Sequence, residues 1–426
     1  IYGFTGGFPG NFTKVPFYQK VREYNDFETR DLWTYELDLS QQEVDDIVDH
    51  LWELSSTNFP YYYLTENCAY FLLYITEMVA PRYDMLSKLP KYWVIPIDTV
   101  QIAIQAGAVK DISYRPSAYK LFSTRLNDLD TKQRTLFYQS LKTKDWSLAK
   151  QDAAVIDTLI DYLDVRFYNE INDKSSEWSK AKHTLNMHRA VLDEKVVAPN
   201  IIVEEWEEPH RIFPLQRFRF GAAYSDERGS FAHFEQRLAN HDILDPLDGK
   251  PPFSNIEFFR AQVSISEDEI LFRHLSLVSV LALPAVDPLF SRLSWGFDIG
   301  IHQYSYLCNS CVSPFVEFGA GRSYMLVDKK LQVSALLWLE TFSNERITKG
   351  YSARLGPYLQ LVYYPKINLR TQIAYKPSLE VHDFTQDYQR LTVSMRYDLS
   401  KTSSVGLEYS LRDKEEESFL SYYFYY

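Results

Sequence analysis

The stretch RLTVSMRYDLS, Arg390–Ser400, alternates without interruption. Leu391, Val393, Met395, Tyr397 and Leu399 interleave with Arg390, Thr392, Ser394, Arg396 and Asp398. Side chains on a strand point to opposite faces in turn, so this segment carries one apolar face and one polar face. Beyond a turn at Ser400–Ser403 the pattern repeats: Val405, Leu407, Tyr409 and Leu411 against Gly406, Glu408, Ser410 and Arg412. Further back it recurs in Leu293–His302 and in Arg217–Ala222. About 12 such segments, roughly 9–14 residues each, fill residues 213–426, and 9–11 tilted residues are enough to cross a bilayer. A soluble sandwich also alternates, but its strands are shorter, and it has no use for Arg396 and Asp398 on a packed face. In a barrel such residues line the lumen. The expected fold is an antiparallel transmembrane β-barrel of about 12 strands.

Turn lengths give the barrel a direction. Val327–Lys330, Pro365–Asn368 and Ser400–Ser403 are short and are expected on the periplasmic side. Gln303–Cys311, Ser343–Gly350 and Pro377–Asp387 are expected as the longer outer loops. Segments 230–238 and 269–283 alternate poorly. Composition agrees with a barrel: 32 Tyr, 27 Phe and 8 Trp make 16% of the 426 residues, and barrels place aromatics in girdles at both interfaces. No apolar run is long enough for a membrane-crossing helix. A mean hydropathy of −0.30 is compatible with a polar lumen diluting each strand. The net charge of −12 disfavours nucleic acid as a partner.

Residues 1–110 read as a mixed α+β domain. Ser40 caps a helix to Leu54 whose apolar face is Val44, Ile47, Val48, Leu51 and Leu54. Cys68–Val79 reads as a buried helix ended by Pro81. Residues 111–200 read as helical; Asp152–Glu170 carries the stripe Ala153, Ile156, Leu159, Ile160 and Leu163. The acidic, proline-containing residues 201–212 read as a linker. The chain opens on Ile1-Tyr2-Gly3-Phe4, with no initiator Met and no visible signal peptide. It is expected to be processed, clipped or partly represented.

The chemistry centres on YYYLTENCAYF, Tyr61–Phe71. A polar turn delivers Cys68 to the first position of an apolar helix. Helix N-termini stabilise negative charge, thiolates included, and their free amides can hold an oxyanion. A thiolate placed there can attack an acyl carbon and form a thioester. A buried cysteine on an apolar helix can equally be plain core.

Asn67-Cys68-Ala69-Tyr70-Phe71 resembles the Asn-Cys-x-x-Phe nucleophile motif of circularly permuted NlpC/P60-type, papain-like enzymes, the group that includes lecithin:retinol acyltransferase-like proteins. With GFTGGFPGNF, VPFYQKVREYNDFETRDLWTYEL, HLWEL and VIPIDTV around it, the segment resembles the periplasmic domain of Lnb-type bacterial lipoprotein N-acyltransferases. The likeness is close over residues 1–105. It extends loosely into the barrel through GSFAHFEQRLANHDILDP and RLSWGFDIGI. It implies a papain-like N-terminal fold with Cys68 as nucleophile. Arg30, Glu53, Tyr62 and Asn67 match family positions, with Asn67 expected to shape the cysteine turn. It also implies a base histidine before the cysteine, on a strand. His50 is the only preceding histidine and lies on the expected helix, so it reads as structural; the base is expected upstream of Ile1. The implied partners are a phospholipid acyl donor, a lipoprotein acceptor and the outer membrane, with no cofactor and no metal. The alternatives are a cell-wall amidase or peptidase using the same thiol, and a non-enzymatic channel or assembly protein.

Two further clusters stand out. Arg237, His241, Asp242 and Asp245 lie in RLANHDILD, a long connection on the expected periplasmic side. It reads either as a polar loop with an Asx turn or as a surface docking on the catalytic domain. Cys308 and Cys311 form a CxxC in an outer loop. A local disulfide is expected in an oxidising compartment, with half a metal site or a redox pair as the other readings.

Overall fold

The computed structural model describes residues 7–90, 93–195, 197–304, 311–347, 349–381, 383–412 and 415–426. The chain divides into two units, Ile1–Val203 and Glu204–Tyr426.

The first unit is α+β. In chain order it holds β1 (Phe8–Gly10), α1 (Phe17–Val21), β2 (Leu32–Leu37), α2 (Gln41–Leu54), β3 (Phe59–Tyr61), α3 (Cys68–Val79), α4 (Pro96–Gln105), β4 (Val109–Arg115), α5 (Ala118–Asp128), α6 (Thr131–Thr143), α7 (Ala153–Arg166) and α8 (Glu177–Ala190). Strand β1 pairs antiparallel with β3, and β2 with β4. Around α3 and α4 a small core collects Leu73, Ala80, Tyr83, Met85, Ile102 and Ala103. Helix α2 starts at a full capping box, Ser40 with Glu43, which satisfies two orphan backbone donors reciprocally. Its expected apolar face is only partly covered: Ile47, Leu51 and Leu54 are half-buried, while Val44 and Val48 are exposed. On α7 the buried residues include Ala153, Ile156, Leu159 and Leu163, as the 3.6-residue period requires.

The second unit is a barrel. Twelve described strands close it: β5 (Arg217–Ser225), β6 (Gly229–His241), β7 (Ser254–Ile265), β8 (Ile270–Ala282), β9 (Ser294–Gln303), β10 (Val312–Val327), β11 (Leu331–Ser343), β12 (Tyr351–Lys366), β13 (Leu369–Glu380), β14 (Asp383–Ser400), β15 (Ser403–Arg412) and β16 (Glu415–Tyr425). Every neighbouring pair is antiparallel, and β16 pairs with β5 to close the ring, which leaves no open sheet edge for lipid to meet. The expected alternation is realised. Leu391, Val393, Met395 and Tyr397 face outward opposite Leu411, Tyr409, Leu407 and Val405, while Arg396 and Asp398 are held inside by ion pairs. Trp295, Tyr324, Tyr363, Tyr397 and Phe424 are exposed on the outer wall near one end, the placement of an interfacial girdle.

The short turns fall where the sequence puts them. The outer connection Pro377–Asp387 does not: β13 runs to Glu380 and β14 starts at Asp383, so strand pairing extends into the expected loop. The poorly alternating 230–238 and 269–283 are strands as well. Their inward positions include Phe231, Leu271 and Ser276, all buried, which blurs the polar half of the period. Residues 204–212, expected as linker, form two short 3-10 turns, Glu205–Glu207 and Pro209–Arg211, and belong to the barrel unit.

Candidate active site

Three local devices set the position of Cys68. The first is Asn67, which is buried and caps α3. Its Oδ1 accepts from the Ala69 and Tyr70 amides at 3.1 and 3.2 Å. Its Nδ2 donates to the Val94 carbonyl at 2.6 Å and to the Tyr63 carbonyl at 3.3 Å. One side chain thus closes the turn, caps the helix and ties both to the segment before α4; Val94 N returns a bond to Leu64 O at 2.7 Å. The second is the turn itself, in which Tyr62 N donates to Glu66 O and Thr65 N to Tyr62 O, each at 3.3 Å. The third is Tyr61 at the end of β3. The Cys68 N–H donates to its phenol oxygen, which also contacts the thiol. Burial first, and then the neighbouring Cys68, push the Tyr61 phenol above its ordinary range.

Cys68 is a free, exposed cysteine, which removes the core reading. Apolar surface flanks it. One turn on, Phe71 packs on Phe59 with ring centroids 4.1 Å apart, and Phe12 closes the group at 5.2 Å from Phe59. Gly10 is required for this packing, because a Cβ there would come within 2.4 Å of the Phe59 ring. Leu72, four residues after Cys68 and so on the same helix face, is 66% exposed.

The other family positions stand elsewhere. Arg30 pairs with Glu28 at 2.9 Å and lies over the Tyr24 ring. His50 Nδ1 faces Glu53 Oε2 at 3.9 Å along its own helix. Among the described residues, no hydrogen bond or ion pair joins Arg30, His50 or Tyr62 to Cys68. Tyr61 is the residue that sequence reasoning missed. The run Tyr61-Tyr62-Tyr63 signals an aromatic strand end, but which of the three turns toward Cys68 depends on the β1–β3 pairing, Phe8 opposite Tyr61.

The Arg237–Asp245 cluster is not a free loop. Arg237 and His241 belong to β6, and Arg237 and Asp245 are fully buried inside the barrel, where Arg237 donates to Asp245 at 2.5 Å. His241 Nε2 meets Ser254 Oγ at 3.2 Å. Asp242 receives Arg217 and Arg396. Of the CxxC pair, Cys311 is disulfide-bonded, and Cys308 lies outside the described residues. Among the described residues no group of three or more acidic, His or Cys side chains could hold a metal.

A closed antiparallel barrel with an apolar outer wall and a charged lumen defines an outer-membrane protein, here preceded by an α+β periplasmic domain. Residues 207–426, just over half of the chain, match the family described as Domain of unknown function (DUF7840), and the chain belongs to that family. Residues 1–106 match the Lnb N-terminal periplasmic domain. Among solved structures the chain is similar to the KdgM porin (10% identity, TM-score 0.31, 49% of this chain and 99% of that one). It is also similar to the NanC porin (8%, TM-score 0.33, 49% and 99%). A third similarity is to the COG4313 outer membrane channel from Pseudomonas putida F1 (11%, TM-score 0.32, 53% and 99%). No curated protein matches the sequence.

Proposed function

We propose that the chain is a cysteine-dependent N-acyltransferase whose periplasmic domain is of the permuted NlpC/P60, papain-like kind. It moves a fatty acyl group from a membrane phospholipid to the α-amine of a bacterial lipoprotein. The observation that carries this reading is Cys68 itself: a free, exposed thiol, fixed by Asn67 at the first position of α3, within the segment that matches the Lnb N-terminal periplasmic domain.

In the first half-reaction the Cys68 thiolate attacks the ester carbonyl of the phospholipid. A C–S bond forms, the ester C–O bond breaks, and the lysophospholipid leaves as an alcohol after taking a proton. In the second, the free α-amine of the lipoprotein attacks the thioester. A C–N bond forms, the C–S bond breaks, the amine gives up a proton and the thiolate is regenerated. Splitting the transfer in this way gives ping-pong kinetics. Negative charge develops on the carbonyl oxygen in both halves, next to a helix N-terminus whose dipole opposes it. The Ala69 and Tyr70 amides are already engaged by Asn67, which leaves the Cys68 amide, now on Tyr61, as the donor an oxyanion would take over. Leu72 and the Phe71–Phe59 pair offer an acyl chain apolar surface beside the thiol.

Cys68→Ser tests the reading. Lipoproteins from cells carrying the variant are expected to keep a free α-amine by mass spectrometry while the barrel still assembles. With radiolabelled phospholipid, the wild-type chain is expected to acquire a hydroxylamine-sensitive label that Cys68→Ser lacks. Normal N-acylation in the variant would sink the proposal. An unlabelled wild-type chain that cleaves peptidoglycan peptides would replace it with the amidase reading.

A further inference from the structure

Three inner connections of this barrel, Asp328–Lys330, Ile367–Asn368 and Lys401–Thr402, are each two or three residues long, and a fourth, 283–293, has eleven. The connection from β6 to β7 is twelve residues long, 242–253, and it turns inward. Ile243, Leu244, Leu247 and Phe253 are each 5% exposed or less. They pack with Leu283, Leu336, Trp338, Val362 and Tyr364. Tyr364 lies on β12, six strands round the ring from β6, so the segment reaches the opposite wall.

The wall is built to receive it. Tyr364 Oη donates to Ile243 O at 2.9 Å and accepts from Phe253 N at 3.3 Å, and the Phe253 and Tyr364 rings stack at 4.7 Å. Arg370 Nε, from β13, donates to Leu244 O at 2.7 Å. Lys250 Nζ turns back to Asp242 O at 2.6 Å. At the centre sits Asp245, fully buried. Its carboxylate accepts from Arg217 at 2.8 Å, Arg237 at 2.5 Å, Arg396 at 2.6 Å, the Tyr425 hydroxyl at 3.0 Å and the Asp242 amide at 2.8 Å. The four side-chain partners come from β5, β6, β14 and β16. Buried backbone carbonyls and a buried carboxylate are costly unless each finds a partner, and here lumen side chains supply those partners. From below, Gly249 donates to Trp206 O at 2.7 Å. Its φ of +70°, with the Ile212 backbone 2.5 Å from where a Cβ would stand, demands glycine.

We propose that residues 242–253 are a plug that closes the inner mouth of the barrel. The lumen is then a blind polar vestibule rather than a through-channel, and the barrel is an anchor that does not leak. The proposal is independent of the chemistry at Cys68. It follows that the lumen cavity of 290 Å³, bounded by Asp242, Ile243 and Leu244 as well as by Gln360, Lys376 and Arg390, ends on this segment.

The test is the conductance of the full-length chain in planar bilayers, set against a variant in which residues 243–252 are replaced by a three-residue Gly-Ser-Gly link. Folding of both is checked by heat-modifiable electrophoretic mobility. The wild-type chain is expected to give no unitary steps and the shortened variant steady ones. Wild-type steps equal to those of the variant would overturn the proposal, as would a folded variant that stays silent, because closure would then lie elsewhere in the lumen. Should the shortened variant fail to fold, Leu244→Cys in a Cys68→Ser background decides. Labelling of the native protein by a membrane-impermeant maleimide is expected to be at least tenfold slower than in denaturant, and equal rates would overturn the plug.

Discussion

Asn67 carries more of the site than its size suggests. Both ends of its amide are used, twice each, across the turn, the helix start and Val94. Removing a cap of this kind costs about 0.5–2 kcal/mol, and the buried Val94 carbonyl would lose its donor in addition. Asn67→Ala is therefore expected to destabilise the first unit by about 2 kcal/mol, read as an earlier loss of helical circular dichroism in denaturant. The proposed acyl transfer is expected to fall with it, because Cys68 is then no longer held at the helix start. Asn67→Asp keeps the acceptor but not the donor to Val94, and should fall between. An alanine variant that melts with the wild type would show that the turn is fixed by something else. Asn67 was legible from sequence, as a polar residue before an apolar helix. Tyr61 was not, since its partnership with Cys68 depends on strand pairing between residues about fifty apart.

At the level of elements, period was the readable quantity. The two-residue alternation of β14 and β15 specified a barrel wall because each outward residue meets lipid and each inward one meets charge. Where the lumen takes an apolar inward residue, as at Phe231 on β6, the signal faded although the strand did not. The inward course of 242–253 was beyond sequence, because its partners Tyr364, Arg370 and Arg396 lie over a hundred residues away. Helix α7 shows a stripe that was legible and a charge that was not. Asp161 lies half-covered beside Arg125, 3.3 Å from its Nε, with Asp157 and Asp164 nearby, and burial pushes its carboxyl up to about 6. A raised carboxyl binds its proton more tightly in the folded state, so the group costs nothing well below its ordinary 3.8. The cost grows as pH rises from there through 6 and is complete above it, at no more than about 3 kcal/mol with the attraction of Arg125 already included, and less because the side chain is partly exposed. Asp161→Asn is accordingly expected to stabilise the first unit by about 1–2 kcal/mol at pH 7.5 and to change little at pH 4. Denaturant titrations at the two pH values measure the difference, and equal effects at both would refute the assignment.

For the molecule as a whole, the question is where the barrel begins as an independent folding unit. Strand pairing alone would start it at Arg217, the first residue of β5, and the sequence period suggested Phe213. The compact unit starts earlier, at Glu204. Residues 204–216 lie under the inner end of the barrel: Gly249 bonds to Trp206, Tyr426 N donates to Gln216 O at 3.1 Å, and the Phe213 ring meets Tyr425 edge-on at 5.2 Å. Phe213 and Leu215 are 2% and 6% exposed, and Arg237 donates to Leu215 O. Deleting this segment would remove two buried apolar side chains, uncover the Tyr425 ring that Phe213 covers, and leave the donors of Gly249, Tyr426 and Arg237 without these acceptors, each a loss of about 1–3 kcal/mol or more. A chain of residues 204–426 is expected to assemble in the outer membrane as a heat-modifiable barrel with wild-type thermal stability. One that begins at Arg217 is expected to assemble poorly or to unfold at a temperature lower by several degrees. Equal stability of the two would mean that 204–216 only connects, and an aggregated 204–426 would mean that the barrel needs residues 1–203 to form.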